Sequence, residues 1–321
     1  LDSLELIRLN LLSPVVLCFG LGALARLLRS DLSLPESVYT ALSAYLLLAI
    51  GLKGGAALAE TPIRAVVGPA FATLIVGIIV PVVAYAVCRS LVRLNRVNAA
   101  AMAAHYGSVS AVTFIATLSF LRAAGEPYEG FLPALVAVLE IPAIIVGLML
   151  GREAGARGSM GHALREVLTG KSVMLLAGGM LVGWLSGERG MTAVKPFFVD
   201  PFQGALCLFM LEMGLLAASR LGDLRRAGLR LVAFAIAGPI LFGAIGVSGG
   251  WASGLGIGGS TVLGAMAASA SYIAAPAAVR LALPKANPAY YLTAAVGITF
   301  PFNLSAGIPL YYAMSRWFFG M

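Results

Sequence analysis

The feature that most constrains this chain is a set of ten apolar stretches, each close to the length of a bilayer-spanning helix. They fall at about residues 11–28, 37–58, 66–88, 97–121, 128–150, 171–186, 197–219, 228–250, 259–283 and 289–313. A helix rises 1.5 Å per residue, so a hydrocarbon core ~30 Å thick requires ~20 apolar residues in a row. Backbone in lipid must satisfy its own polar groups, and stretches of this length do so as helices. Composition agrees, since 60% of the 321 residues are hydrophobic and 11% are charged. A soluble domain carries roughly 25% charged residues, so a water-soluble fold is excluded. Cys18, Cys88 and Cys207 lie in apolar segments without paired spacing. They read as core residues, not as a disulfide framework or a metal site.

Residues 151–170 form the one long polar linker and divide the chain into a first half, 1–150, and a second half, 171–321, of five stretches each. The tetrapeptide AMAA opens the fourth stretch of each half, at Ala101–Ala104 and Ala265–Ala268. Gly68-Pro69 and Gly238-Pro239 fall early in the third stretches, and Gly51-Leu52 and Gly214-Leu215 late in the second. Three matches in the same order indicate a repeat, and an odd helix number per half inverts it in the membrane. Assigning the linkers alternately to two sides places fifteen of the 22 Lys and Arg on the side of the 151–170 linker. The positive-inside rule puts that side in the cytoplasm and both termini outside. The net charge of +8 is then a topology signal, and nucleic-acid binding is set aside.

The fourth and ninth stretches are interrupted by small and hydroxyl residues. Gly107, Ser108, Ser110 and Thr113 occupy one interruption; Ser269, Ser271, Tyr272 and Pro276 occupy the other. A proline inside a span removes a backbone donor and clashes with the preceding turn, freeing carbonyls. Isolated small residues in a span serve helix packing, but two matching interruptions point to a binding site at the bilayer midplane. Free N–H groups at a half-helix start suit an anion. Ala277 and Ala278, just after Pro276, are expected to present such groups. Freed carbonyls and Ser/Thr hydroxyls suit a hard cation.

Four ionisable residues lie in or near the spans: Lys53, His105, Glu140 and Glu212. Burying such groups is expensive, which makes them functional candidates. Glu140, two residues before Pro142, is read as a cation ligand, a coupling proton carrier or a partner for a neighbouring helix. Lys53 and Glu212 flank the repeated Gly-Leu pairs, so the expectation is a structural ion pair, or a Lys53 that snorkels to the interface. His105 lies one turn before Ser108 and reads as a hydrogen-bonded core histidine. Two further readings are a cation/proton antiporter using Glu140 and, more remotely, an intramembrane hydrolase using Ser108 or Ser110 with His105.

The five-plus-five plan resembles the sodium-dependent bicarbonate transporter family. So do "AIGLKGG", "GSVSAVT", "SYIAAPAAVRLALPKANPAYY" and "GITFPFNLSAGIPLY", in order over nearly the whole chain. The resemblance implies a sodium-coupled anion symporter of a bacterial inner membrane, with external termini, no organic cofactor and a homotrimeric assembly. It also implies a core domain that moves against a gate domain, and a small PII-like regulatory protein on the cytoplasmic face. The family's substrate and sodium region maps onto the two interruptions, at Ser110, Thr113, Ser269 and Ser271. The chain departs from cyanobacterial members at Tyr272, where they carry an aspartate, and at Ala274–Ala277, "AAPA" in place of "SGPP". It is closer to the family's non-cyanobacterial branch.

Overall fold

A computed structural model describes residues 3–151, 160–223 and 228–321. Those residues are all-helical, with no strand among them. Each apolar stretch falls on helix: α1 Ser3–Leu11, α2 Pro14–Leu27, α3 Glu36–Glu60, α4 Ile63–Ser90, α5 Arg96–Gly107, α6 Ala111–Ala124, α7 Leu132–Gly151. The order continues with α8 Met160–Leu168, α9 Lys171–Phe198, α10 Phe202–Ser219, α11 Leu229–Ala252, α12 Ile257–Ala267, α13 Ala275–Ala282 and α14 Pro288–Phe318. Among the described residues, seven spans are long and apolar enough to cross a membrane: α3, α4, α5 with α6, α7, α10, α11 and α14. The linker expected at 151–170 lies partly outside the described residues, and its second part is the helix α8, which packs on α13.

The helix ends follow local chemistry. The Ser13 hydroxyl accepts from the Val16 N–H, with Pro14 opening α2 where its missing donor costs no hydrogen bond. Asn95 caps α5 through the Asn98 N–H. Within α9, Gly187 has φ 56 and ψ −160, a conformation open to glycine, and the helix changes direction there. The apolar stretch ending at 186 therefore stops at a real kink, while the helix itself runs on to Phe198.

Packing sorts the helices into two groups. In one, α3 lies along α9, α2 along α10, and α3 touches α10. In the other, α4, α5 and α7 pack together, as do α11, α12 and α14, with α4 against α11. Glycine lets the first group approach closely. A Cβ on Gly183 would sit 2.1 Å from the Leu52 carbonyl oxygen, and one on Gly214 would sit 2.0 Å from that of Phe19. The second group holds the buried alanine and methionine run Ala99–Ala104.

The contacts are reciprocal between halves. The second helix of the first half, α3, packs on α9, which opens the second half; α10, second in its half, packs on α2. Gly51 meets the Leu176 carbonyl of α9, and its sequence counterpart Gly214 meets the Phe19 carbonyl of α2.

Candidate functional site

Both interruptions break their helices. After α5 the chain is extended at Ser108 (ψ 167) and Ser110 (ψ 109), and the Ser110 hydroxyl accepts from the Thr113 N–H at 3.2 Å to start α6. Gly107 is small because the Pro81 ring of α4 packs where its Cβ would stand, at 2.8 Å. The second break runs from Ala268 to Ala274. The Ser271 hydroxyl accepts from the Ala275 N–H at 3.3 Å, and Pro276 sits in the first turn of α13.

The two breaks cross and are joined by hydrogen bonds. The Ser110 N–H donates to Ser269 Oγ at 2.8 Å, and that hydroxyl donates onward to the Met266 carbonyl at 2.8 Å. The Ser271 N–H donates to the His105 carbonyl at 2.8 Å. Each break thus satisfies backbone groups that the other frees, which is what low-dielectric surroundings demand.

Residues that the sequence reading did not single out complete the frame. Asn303 Nδ2 donates to the Ala268 carbonyl at 2.9 Å, and Tyr311 OH donates to Asn303 Oδ1 at 2.7 Å. Thr299 Oγ1 donates to the Ala235 carbonyl at 2.6 Å and accepts from Tyr106 OH at 2.7 Å. Thr299 and Asn303 lie in the parts of α14 that wind as π-helix, Thr293–Thr299 and Asn303–Gly307. Such turns recur at functional sites. Their sequence signal was polar side chains flanking Pro301 in an otherwise apolar stretch.

A cavity of about 20 Å³ sits beside the crossing, lined by Ser110, Ser271, Tyr272, Glu140, Ser172 and neighbouring apolar residues. That is room for about one water-sized particle. Glu140 is 4% exposed and has no hydrogen-bond or ion-pair partner among the described residues. Among the described residues the Ser108, Thr113 and Tyr272 hydroxyls are also buried without partners. Buried polar groups normally find partners, so the unpartnered Glu140 and Tyr272 on the wall of a small cavity, with the Ser108 and Thr113 orphans in the adjoining break, fit a bound ligand. A carboxylate with neighbouring hydroxyls is a hard oxygen set suited to a cation such as sodium. Ser269 fits that role less well, because its hydroxyl already donates to Met266 and accepts from Ser110.

Several expected residues lie elsewhere. Lys53 and Glu212 do not pair: the Lys53 ammonium stands 4.7 Å from the Phe202 ring centroid, and a Glu212 carboxylate oxygen is buried without a partner. The Gly-Leu pairs they flank each cross a helix of the opposite half, so each side chain is carried to a separate interface. Ala277 and Ala278 do not line the small cavity, whereas Pro276 beside them lines a larger one. His105 is a core histidine. Its Nδ1–H donates to the Ala101 carbonyl at 2.7 Å, and its ring stacks on Tyr291 with centroids 4.1 Å apart. Its Nε2 and the Ser108 hydroxyl both lack partners, so no Ser–His contact exists for a hydrolase.

Residues 14–316 match the family model described as the Na+-dependent bicarbonate transporter superfamily. A comparison with curated proteins finds no match.

Proposed function

The chain belongs to the Na+-dependent bicarbonate transporter superfamily, and from that premise we propose that it is a secondary carrier that moves bicarbonate or a related small anion together with sodium. The carrying observation is the crossing of the two helix breaks, held by Ser110–Ser269 and Ser271–His105 hydrogen bonds beside a cavity with orphan oxygens. The proposed anion region comprises Gly107, Ser108, Ser110, Thr113, Ser269, Ser271 and Tyr272, with the first turn of α13 nearby. Sodium is assigned to the Glu140 side of the cavity with Ser110, Ser271 and Thr113. No organic cofactor and no enzymatic step is part of this reading.

The reciprocal packing supports ten spans arranged as two inverted five-helix repeats. The group of α4–α7 with α11–α14 carries both breaks and is assigned as the core; α2, α3, α9 and α10 are assigned as the gate. Sliding of the core against the gate would expose the crossing to each side in turn, an elevator-like alternating access. The positive-inside bias supports cytoplasmic placement of the 151–170 linker with both termini outside, in a bacterial inner membrane. A homotrimer and a PII-like partner on the cytoplasmic face complete the proposal, on the family resemblance.

Uptake of labelled bicarbonate into proteoliposomes, with and without an inward sodium gradient, tests it. Sodium-driven accumulation is expected. Uptake indifferent to sodium removes the coupling, and no uptake removes bicarbonate as substrate. A second reading, cation/proton antiport through Glu140, is favoured by that residue's burial without a partner. It predicts cation-driven proton movement in the absence of bicarbonate.

A further inference from the structure

Two larger cavities lie between the helix groups, at opposite ends of the bundle. One, about 220 Å³, is lined by Lys53 and Ala57 of α3, Arg122 of α6, the start of α7, and Phe202 and Gln203 at the start of α10. The other, about 250 Å³, is lined by Leu216 of α10 and Arg220 just after it, Arg280 of α13, the start of α14, Tyr39 at the start of α3, and Tyr272. Each draws on a late gate turn, the second half of a broken helix, the helix that follows it and the start of the other gate helix. Gly51 and Gly214 are 214 − 51 = 163 residues apart, and the same step takes Lys53 to Leu216 and Ala57 to Arg220. All four line these cavities. The cavities are counterparts under the repeat, and each contains two cationic side chains.

Two acids lie near the charges of the Lys53 cavity, Asp200 and Glu129, and each is engaged by another group. The nearby acid Asp200 is engaged by Lys195 at 2.5 Å. Glu129 also lines the cavity, but its Oε1 accepts from the Gly256 N–H at 2.7 Å, at the start of α12. Its other oxygen lies 2.1 Å from where a Cβ on Gly259 would stand, so the carboxylate is tucked against the positive end of that helix. Among the described residues the Lys53 ammonium stands over the Phe202 ring and makes no hydrogen bond, and the Arg122 Nε–H donates to Tyr128 OH at 2.7 Å, leaving its terminal N–H groups without a hydrogen-bond partner there. Ser119 and Gln203 add polar atoms.

We propose that Lys53 and Arg122 form an anion-capture site, separate from the midplane crossing, for a small oxyanion such as bicarbonate with part of its hydration shell. A guanidinium fork beside an ammonium matches a planar carboxylate-like group. At roughly 30 Å³ per water, the cavity holds the ion and several waters. The inference rests on the transport reading for its direction, which places this cavity on the outer face; the cavity opposite is its release-side counterpart.

The test is a reporter cysteine on the cavity wall of purified protein, Gln203→Cys or, on the facing helix, Ala57→Cys. Each is labelled with thiol-reactive sulfonate and trimethylammonium reagents of similar size, with the unsubstituted chain as background. Charge focusing in a cleft raises local anion concentration by at least about tenfold. The anionic reagent is therefore expected to react about tenfold faster relative to the cationic one than it does with a free thiol, and bicarbonate is expected to slow it. Lys53→Gln and Arg122→Gln should each reduce that preference several-fold, whereas Arg64→Gln, which does not line the cavity, leaves it unchanged. No preference at either reporter, or one unmoved by the two cavity variants, overturns the site. Liposomes that take up no bicarbonate while the preference persists overturn the transport reading alone.

Discussion

Ser110 and Ser269, 159 residues apart, meet where the two broken helices cross, and the Ser110 N–H donates to the Ser269 hydroxyl at 2.8 Å. The same hydroxyl donates to the Met266 carbonyl. One side chain therefore joins the start of the α6 half-helix to the end of α12. Ser269→Ala strands a buried N–H, which costs about 1–3 kcal/mol. A fall in thermal stability of that order is expected, with at least tenfold slower uptake. Ser269→Ala with unchanged uptake would remove the crossing from the transport path.

Glu140 sits in a cavity without a partner, so its charged form needs a cation beside it. Glu140→Gln keeps the shape and removes the charge. Sodium dependence of uptake and of thermal stabilisation should be lost, while stability in sodium-free buffer is kept or raised. Retained sodium stabilisation with a normal sodium affinity would assign Glu140 to packing alone.

The Tyr272 hydroxyl has no hydrogen-bond partner among the described residues, and its ring packs edge-on against Phe300 at 5.9 Å. Tyr272→Phe is therefore expected to leave stability unchanged within about 0.5 kcal/mol, the usual range for a change that breaks no such contact. A raised KM for the anion in this variant would show that the hydroxyl faces substrate; kinetics identical to the parent would show that it does not.

Asn303 serves two clients, the Ala268 carbonyl and the Tyr311 hydroxyl. Asn303→Leu leaves both unpaired in the core, a loss of about 1–3 kcal/mol for each group stranded. Melting of the purified variant is expected well below that of the parent. A variant that melts with the parent would mean that α14 does not hold the second break.

Gly183 and Gly214 lie where helices of opposite halves touch backbone to backbone. Adding a methyl at either position forces the helices apart, at about 1–3 kcal/mol. Gly204→Ala, with nothing within 4 Å of the new Cβ, should be neutral or slightly stabilising, because alanine favours helix. Equal effects at all three positions, measured by thermal unfolding, would contradict the close crossings.

The sequence by itself determined the helical class, the positions of the apolar stretches and both helix breaks. Each depends on local chemistry: runs of apolar residues, a proline in a first turn, serines that cap. The pairings Gly51-Leu52 with Gly214-Leu215 also held spatial meaning, since both mark crossings with the opposite half.

What only the tertiary structure decided was which groups meet. Lys53 and Glu212 looked like partners because they flank repeated residues, yet the crossings carry Lys53 to Phe202 and leave a Glu212 oxygen unpaired. Glu140 came to the cavity beside Ser110 and Ser271 because α7 packs against α5, a contact between helices that local pattern does not encode. Asn303 acquired its role the same way, from 35 residues beyond the carbonyl it satisfies. Helix propensity and span length act over a few turns, but the partners of a buried polar group are chosen by long-range packing. That packing brought two distant serine-rich breaks into hydrogen-bond contact.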